Sequence, residues 1–319
     1  MKQKPKSVRR TIFKLFPWVM GVILVVLVSL QIHESRASSQ NQPNTNETSI
    51  SRTEDVSKRT SVLAKQKAIK ARLTAYLDTV TKDGTVNVSF YNLGAKANSK
   101  AAKQKQAAIY QAGSLATEAN AHTPQVAAST FKLFISAYLM QQKLNGNFTW
   151  TTTNENGFYQ MIVNSDNTYA DAELESYGMS RVNSFIQKQG WYSPVFTETK
   201  VAQTTSHSLM RLLKQLATGT GVFQKQSDRA KILGFMRKQI YRSGIPTGAR
   251  QAQKGSTVAD KVGFLNDVNN DAGIVTLPNG EQYILVIMTH GHQQSGFSGF
   301  PKIAKITKRV QTIVYGKSK

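Results

Sequence analysis

The sequence predicts an α/β protein of the α+β type, in which an antiparallel sheet is flanked by N- and C-terminal helices and an all-helical subdomain is inserted between the strands. Strand-like runs occur early and late in the chain, amphipathic helical patterns occur at both ends of the folded region, and helical signal dominates from about 130 to 216. A functional site is expected where the sheet meets the helical insertion.

A helix and a strand begin the folded region. The helix is predicted by an apolar stripe at the spacing i, i+4, i+7, i+8 and i+11. Its members are Ile69, Leu73, Tyr76, Leu77 and Val80. The strand is predicted over VNVSFYNL, from Val86 to Leu93, because apolar and polar residues alternate there and KDG supplies a turn before it.

Further strands and a final helix close the chain. STVADKVGF, GIVTL and QYILVIMT are rich in β-forming residues, and the PNG sequence of residues 278–280 predicts a hairpin turn between the last two runs. KIAKITKRVQTIVYG then predicts an amphipathic helix. Its apolar face consists of Ile303, Ile306, Val310 and Ile313.

The first 59 residues differ in character from the rest of the chain. Residues 1–14 contain six Lys or Arg and no acid, and residues 15–32 contain no charge. About 18 apolar residues are enough to cross a bilayer, and a basic flank stays in the cytoplasm. The sequence therefore predicts a basic cytoplasmic tail over 1–14, a transmembrane signal-anchor over 15–32, a flexible extracellular linker over 33–59 and an extracellular domain over 60–319.

A cleaved signal peptide is the alternative to the anchor. Ser35, Arg36 and Ala37 form a small-x-small sequence that is compatible with cleavage. In that case the protein is secreted after the apolar segment has been removed.

Composition limits the chemistry and the partners. The 319 residues include no cysteine, which excludes disulfides, thiolate nucleophiles and cysteine metal sites. The formal net charge is +23. Because an exported domain seldom meets nucleic acid, anionic cell-wall polymers or lipid headgroups are the expected counter-charges, and solubility alone is the alternative explanation. We expect no cofactor, and no long heptad pattern predicts an assembly, so we expect a monomer.

The segment AASTFKLFISAYLM, residues 127–140, carries the strongest chemical signal. If a helix starts there, Ser129 lies at its N-terminus, where unpaired N–H groups favour developing negative charge. Lys132 at i+3 lies on the same face, and a desolvated lysine with a lowered pKa can take the proton of a serine hydroxyl. The segment predicts a nucleophile and its base; the alternative is a serine cap beside a solvated lysine.

Two further motifs follow in order along the chain. VNSDNTYADAEL contains Ser165, Asp166 and Asn167, and VADKVGF contains Lys261 and Gly263. Together with S-x-x-K, they resemble the motif set of the serine β-lactamases and penicillin-binding proteins, most closely the class A β-lactamases. The resemblance covers residues from about 60 to 316 and implies that family's fold and its acyl-enzyme chemistry.

The resemblance implies a catalytic role for three residues. Ser129 would attack the carbonyl carbon of a β-lactam or an acyl-D-Ala-D-Ala-like substrate, with Lys132 as its activating partner. Ser165 would relay a proton to the departing nitrogen, and Asp166 would be structural.

It also implies substrate-binding roles. Asn167 would hydrogen-bond the substrate amide, and Lys261 would add positive charge near Ser165 and the substrate carboxylate. The oxyanion hole would consist of the backbone N–H groups of Ser129 and of Phe264, the residue after Gly263.

Two positions depart from the family pattern. Val262 replaces the hydroxyl residue between the lysine and the glycine of the third motif, and this change is expected to weaken recognition of a substrate carboxylate by about 1.5 to 3 kcal/mol. The nearest candidate for the deacylating base is Glu198 in FTETKVAQTTS, where Val201 and Ala202 stand instead of the family's Leu and Asn. Without a positioned base, acylation would outlast hydrolysis.

Other patterns carry less information. His290 and His292 lie two apart in THGH and could begin a zinc site, but no third ligand is evident, so no metal is expected at the functional site. A Ser-His-Asp triad that uses His207 has no support from the sequence around it.

Three functions remain open at this level. The first is a membrane-anchored serine hydrolase of class A β-lactamase type, acylated at Ser129 by β-lactams or related peptidoglycan amides, with weak hydrolysis. The second is a D-Ala-D-Ala peptidase or penicillin-binding enzyme with the same nucleophile. The third is a non-catalytic cell-wall binding or sensor module on the same fold.

Overall fold

The central layer of the protein is an antiparallel sheet. In the computed structural model, which describes residues 45–316, the strands are β1 (Val86–Ala95), β2 (Thr117–Ala119), β3 (Gln125–Val126), β4 (Gln203–Thr204), β5 (Thr257–Leu265), β6 (Val268–Thr276) and β7 (Glu281–Thr289). Five of them form one sheet in the order β2-β1-β7-β6-β5, and β3 pairs with β4 separately. Strand β1 lies between β2 and β7, so the sheet is completed from both ends of the folded region, as predicted.

Helices supply the remaining layers. They are α1 (Thr45–Thr81), α2 (Lys132–Leu144), α3 (Thr152–Tyr159), α4 (Thr168–Tyr177), α5 (Met179–Lys188), α6 (Ser206–Thr218), α7 (Gln226–Arg237), α8 (Ile245–Ala252) and α9 (Phe300–Tyr315). Helices α2 to α8 lie between β2 and β5 in the chain, so the predicted insertion is mainly helical; it also contains the two-residue strands β3 and β4.

The two faces of the sheet bury different partners. On one face, apolar residues of α1 and α9 such as Leu73 and Ile303 pack with strand residues such as Phe90 and Leu285. On the other face, helices of the insertion pack against strand residues such as Ile284. Because successive strand side chains point to opposite faces, the sheet divides the core into two clusters.

Helix α2 is the central helix of the insertion. Ten of its thirteen residues are buried, including the charged Lys132 at its first position. A helix that is apolar on all sides belongs in the interior, and this explains why the run from Leu133 to Met140 shows no polar face in the sequence. The burial of α2 carries its first turn into the protein interior.

The N-terminal region differs in part from its prediction. Helix α1 begins at Thr45, so residues 45–59, predicted as part of the flexible linker 33–59, are helical. This stretch contains no Gly or Pro to stop a helix that continues toward Thr81. Contacts among the described residues group those from Thr60 onward into one compact unit, and the predicted domain boundaries stay a prediction.

The proposed membrane segment lies outside the described residues. Residues 1–14 and 15–32, predicted as the cytoplasmic tail and the anchor, precede Thr45. Within residues 45–316, none of the helices has the length and apolar character needed to span a bilayer.

Candidate active site

Ser129 and Lys132 are in direct contact. Ser129 lies in a 3-10 turn, Ala128–Phe131, that leads into α2. The Nζ atom of Lys132 donates a hydrogen bond to Ser129 Oγ over 2.8 Å, and the lysine is fully buried. Burial lowers the pKa of Lys132 to about 8, while the carboxylates of Asp171 and Asp166 oppose this shift. At neutral pH the amine is therefore close to its titration point.

The backbone before Ser129 is held in a strained conformation. Ala128 has a φ of 44°, a left-handed value that a residue with a Cβ atom rarely adopts. The side chain of Asn270, on β6, donates to the carbonyl oxygens of Val126 and Ala127 over 2.9 and 3.0 Å. Thr130 Oγ1 also donates to the Ala127 carbonyl, over 2.6 Å. These bonds fix the turn that carries Ser129.

Asn270 was not singled out from the sequence. It lies 144 positions after Val126, and no local pattern connects the two. The asparagine pair NN within a β-rich run is a weak signal, because polar side chains are uncommon in a buried strand.

Ser165 and Asn167 meet the same lysine from a second segment. A π-helical turn, Gln160–Asn164, ends at Ser165, which has a left-handed φ of 63°. Lys132 Nζ donates to the Ser165 carbonyl over 2.9 Å and to Asn167 Oδ1 over 2.5 Å. The predicted motif residues 165 and 167 therefore converge on Lys132.

Asp166 has a structural contact, in keeping with the predicted role. Its Oδ1 atom accepts a hydrogen bond from the backbone N–H of Thr168 over 2.8 Å, at the first residue of α4. Its own backbone N–H donates to the Gln160 carbonyl over 3.0 Å. These bonds link the π-helical turn to the following helix.

Lys261 completes the chain of hydrogen bonds from β5. Its Nζ atom donates to Ser165 Oγ over 2.7 Å and to the Val262 carbonyl over 2.8 Å, and the side chain is fully buried. Burial lowers its pKa well below the ordinary lysine value, and the nearby charge of Lys132 lowers it further. Ser165 is thus bound to Lys132 through its carbonyl and to Lys261 through its hydroxyl.

Gly263 brings strand β5 against the predicted nucleophile, Ser129. A Cβ atom at this position would lie 2.8 Å from the Ser129 backbone nitrogen and 2.9 Å from both the Ala127 oxygen and the Thr130 nitrogen. These are backbone atoms that cannot move aside, so only glycine allows this approach. The next residue, Phe264, carries the second predicted oxyanion N–H, and its ring packs on Phe297 at a centroid distance of 4.6 Å.

The interpretation of Val262 needs correction. Its side chain is fully buried in the cluster that α1 and α9 form with the sheet. The isopropyl group is core packing in this structure, so its lack of a hydroxyl does not by itself leave a gap at an accessible carboxylate subsite.

Buried charged groups also lie on the face of the sheet that packs against α1 and α9. Arg242 donates to Asp260 Oδ1 and, over 2.9 Å, to the Val258 carbonyl. Asp271, on β6, accepts a hydrogen bond from the Ile245 N–H over 2.8 Å at the start of α8. Burial raises the pKa of Asp260 and that of Asp271, the latter to about 7. The network anchors β5 and β6 behind Lys261.

Glu198 is separate from this hydrogen-bonded group. Its side chain is exposed, and among residues 45–316 it makes no hydrogen bond or ion pair with Ser129 or Lys132. It lines a cavity of about 1030 Å³ together with α4 and α5, and the lining includes neither of those two residues. The structure therefore does not bring Glu198 together with the predicted nucleophile, and its role as a base stays a prediction.

The two histidines of THGH make different contacts. His292 Nε2 lies 2.8 Å from Asp83 Oδ2 on the protein surface. The backbone N–H of His290 donates to the Thr85 carbonyl over 3.0 Å, which continues the end of β7.

Comparisons with known proteins agree with this arrangement. Residues 151–316 match the model of a family described as the beta-lactamase enzyme family. The match includes Ser165 and Lys261 and begins after Ser129 and Lys132, so those two are assigned by their contacts with the matched residues. No curated protein matches the sequence.

Solved structures show the same fold. A mutant of PBP-A in an acyl-enzyme complex with penicillin G has 19% identity and a TM-score of 0.61 over 77% of this chain and 95% of its own. A class A β-lactamase representative from Bacteroides cellulosilyticus DSM 14838 has 17% identity and a TM-score of 0.57 over 78% and 97%. The TLA-1 extended-spectrum β-lactamase has 18% identity and a TM-score of 0.60 over 77% and 99%.

At these identities the structures demonstrate the fold, and the family match covers more than half of the sequence. With the S-x-x-K, S-D-N and Lys-x-Gly segments in contact, the chain belongs to the beta-lactamase enzyme family.

Proposed function

We propose that this protein is a membrane-anchored, extracellular serine acyl enzyme that reacts through Ser129 with β-lactams or related peptidoglycan amides. The observation that supports this most strongly is the 2.8 Å contact between Ser129 Oγ and the buried amine of Lys132. A lysine whose pKa is lowered to about 8 is a competent base at neutral pH.

Acylation begins with proton transfer from serine to lysine. With a pKa of about 8, about a tenth of Lys132 is neutral at pH 7. The neutral amine takes the proton of Ser129 Oγ, and the oxygen forms a bond to the substrate carbonyl carbon. The carbonyl oxygen becomes an oxyanion, which the backbone N–H groups of Ser129 and Phe264 stabilise.

Collapse of this intermediate breaks the carbon–nitrogen bond of the substrate. Ser165 Oγ gives its proton to the departing nitrogen and takes a proton from Lys261, whose Nζ lies 2.7 Å from the hydroxyl. Lys132 keeps the proton that it took from Ser129. The positive charge of the site attracts a substrate carboxylate, and the Asn167 amide orients the acyl group. The product is an ester of Ser129 with an open ring or a released amine.

Hydrolysis of that ester is proposed to be slow. Among the described residues, the hydrogen-bond partners of Lys132 Nζ are Ser129 Oγ, the Ser165 carbonyl and Asn167 Oδ1, and none of them is a carboxylate. Deacylation needs a base that activates water, and the exposed Glu198 is not held for that task. The penicillin G acyl-enzyme of the PBP-A mutant shows that this fold can carry such an ester.

The lack of a carboxylate among the hydrogen-bond partners of Lys132 Nζ in residues 45–316 also favours a second candidate, a D-Ala-D-Ala peptidase or penicillin-binding enzyme. Such an enzyme forms its acyl-enzyme from a stem peptide and is trapped by penicillin when deacylation is slow. Release of D-Ala from a pentapeptide, absent in Ser129→Ala, distinguishes it from a β-lactamase. A non-catalytic wall-binding module has less support, because hydrogen bonds connect Ser129, Lys132, Ser165 and Lys261. These four residues are called the acylation groups below.

The cellular location is part of the proposal. Residues 15–32 are uncharged and follow six basic residues, which supports an N-terminal anchor with the folded domain outside. Fractionation of cells that express the full chain or a chain lacking residues 1–32 tests this: the full chain is expected in the membrane fraction. Recovery of both chains in the soluble fraction would contradict the anchor.

Time-resolved intact mass spectrometry tests the chemistry. The full-length chain is mixed with benzylpenicillin, with Ser129→Ala as the control and the exposed Ser180→Ala as the matched substitution. We expect an adduct that persists in the wild type and in Ser180→Ala and is absent from Ser129→Ala. A rapidly cleared adduct with accumulating penicilloate would mean efficient hydrolysis, and no adduct at all would contradict the proposal.

A further inference from the structure

Two histidines and a glutamate converge at the surface of the protein. Glu118 lies on β2, His122 follows it by four positions, and His207 lies in the first turn of α6. His207 Nδ1 is 3.0 Å from both carboxylate oxygens of Glu118, and His122 Nε2 is 3.8 Å from Glu118 Oε2. The imidazole centroids are 4.3 Å apart. We call these residues the Glu118–His122–His207 cluster.

The spacing of these atoms suits a single metal ion. Each of the three residues offers one ligand atom, and these atoms lie within 4.8 Å of one another. Zinc bonds of about 2.0 to 2.1 Å in a tetrahedron place ligand atoms about 3.3 Å apart. Small side-chain rotations therefore bring the cluster to coordination distance.

The backbone around the cluster is fixed. Asn120 adopts a left-handed φ of 52°, and its side-chain amide donates to the carbonyl oxygens of Thr81 and Val86 over 2.8 and 3.2 Å. The backbone N–H of His207 donates to the Ala121 carbonyl over 3.1 Å. The turn that carries His122 is thus tied directly to the start of α6, so binding an ion requires no ordering of a loose segment.

The cluster is also accessible. The His122 side chain is 75% exposed, and those of Glu118 and His207 are 25% and 27% exposed. An ion can enter from solvent, and water can occupy the remaining coordination position. The sequence contains no cysteine, so a zinc site in this chain uses nitrogen and oxygen ligands.

We infer that Glu118, His122 and His207 bind one zinc ion. Two imidazole nitrogens and a carboxylate oxygen are ligands that zinc accepts, and a bound water completes the tetrahedron. The ion joins β2, the turn that carries His122 and the first turn of α6. Its effect is to stabilise the folded state, because zinc bound by the native arrangement shifts the folding equilibrium.

The test uses the full-length chain, purified in detergent without a polyhistidine tag and freed of metal. Zinc is titrated in a calorimeter, and the melting temperature is measured with and without zinc. We expect one zinc per chain and a higher melting temperature. His122→Ala and Glu118→Gln are expected to lower zinc affinity at least tenfold, and Glu118→Gln retains an oxygen that accepts the His207 hydrogen bond.

His292→Ala is the matched control, since His292 is an exposed histidine that also pairs with a carboxylate, Asp83. Its zinc affinity is expected to equal that of the wild type. Circular dichroism of each variant verifies that the fold is kept. Absence of saturable zinc binding, undiminished binding in His122→Ala and Glu118→Gln, or an equal loss in His292→Ala would each overturn the inference.

Discussion

The acylation groups and the segment that carries Glu198 differ sharply in how they are held. Ser129, Lys132, Ser165 and Lys261 are connected by hydrogen bonds of 2.7 to 2.9 Å, and both lysines are fully buried. Glu198 is exposed and has no such partner among the described residues. Burial and fixed contacts shift a pKa and orient a reacting group, whereas water screens an exposed carboxylate. This comparison is the basis of the proposal that Ser129 forms an acyl-enzyme that is hydrolysed slowly.

Removal of the buried amine of Lys132 is expected to have the largest effect on acylation. Lys132→Met retains the length and apolar stem of the side chain but removes the base. We expect the rate of acylation by benzylpenicillin to fall about 10³-fold, within the usual range for general-base catalysis. Stopped-flow or quenched intact mass measurements give this rate.

The exposed Lys188→Met is the control for that substitution and is expected to react like the wild type. Acylation of Lys132→Met within twofold of the wild-type rate would show that the contact with Ser129 is only structural.

Gly263→Ala tests whether the approach of β5 to Ser129 matters. The added methyl group would lie 2.8 Å from the Ser129 nitrogen, so the strand must move away from the nucleophile. We expect a loss of about 10²-fold in the acylation rate, the effect of a displacement of about 1 Å in a reacting geometry. Gly234→Ala is the matched control, because that glycine lies in α7 with open space around its Cβ position. Equal rates in the two variants would contradict a role for the close approach.

The pH dependence of acylation tests the lowered pKa of Lys132. The reactive species is the neutral amine, and with a pKa of about 8 its fraction rises about tenfold per pH unit below that value. We expect the acylation rate to increase from pH 6 to pH 8 and to level off above it. Rates measured at constant ionic strength that stay flat over this range would exclude Lys132 as the titrating base.

Glu198→Gln is expected to have the smallest effect. It tests whether the exposed Glu198 takes part in hydrolysis of the acyl-enzyme. Because Glu198 is exposed and unpaired with the acylation groups, we expect the lifetime of the acyl-enzyme to change less than twofold. The lifetime is read from the decay of the adduct mass after excess penicillin has been removed. A lifetime lengthened by 10²-fold or more would identify Glu198 as the deacylating base.

Much of the fold could be predicted from local patterns. The stripes of α1 and α9 and the alternation in β1 are periodic over two or more turns or several residues, and the structure confirms their apolar members as buried or partly buried. Strands β3 and β4 have two residues each, too few to show alternation. The start of α1 at Thr45 was missed because a polar composition indicates solvent exposure and does not by itself exclude a helix.

The sequence by itself determined the order of the motifs and therefore the family and the candidate nucleophile. Only the tertiary structure decided that Lys132 is buried beside Ser129 and that Asn270, 144 positions after Val126, fixes the turn before Ser129. It also decided that Glu198 is exposed and separate from the acylation groups. The physical reason is that helical and strand periodicity is local, whereas desolvation, pKa shifts and close backbone approach depend on segments that meet only after folding.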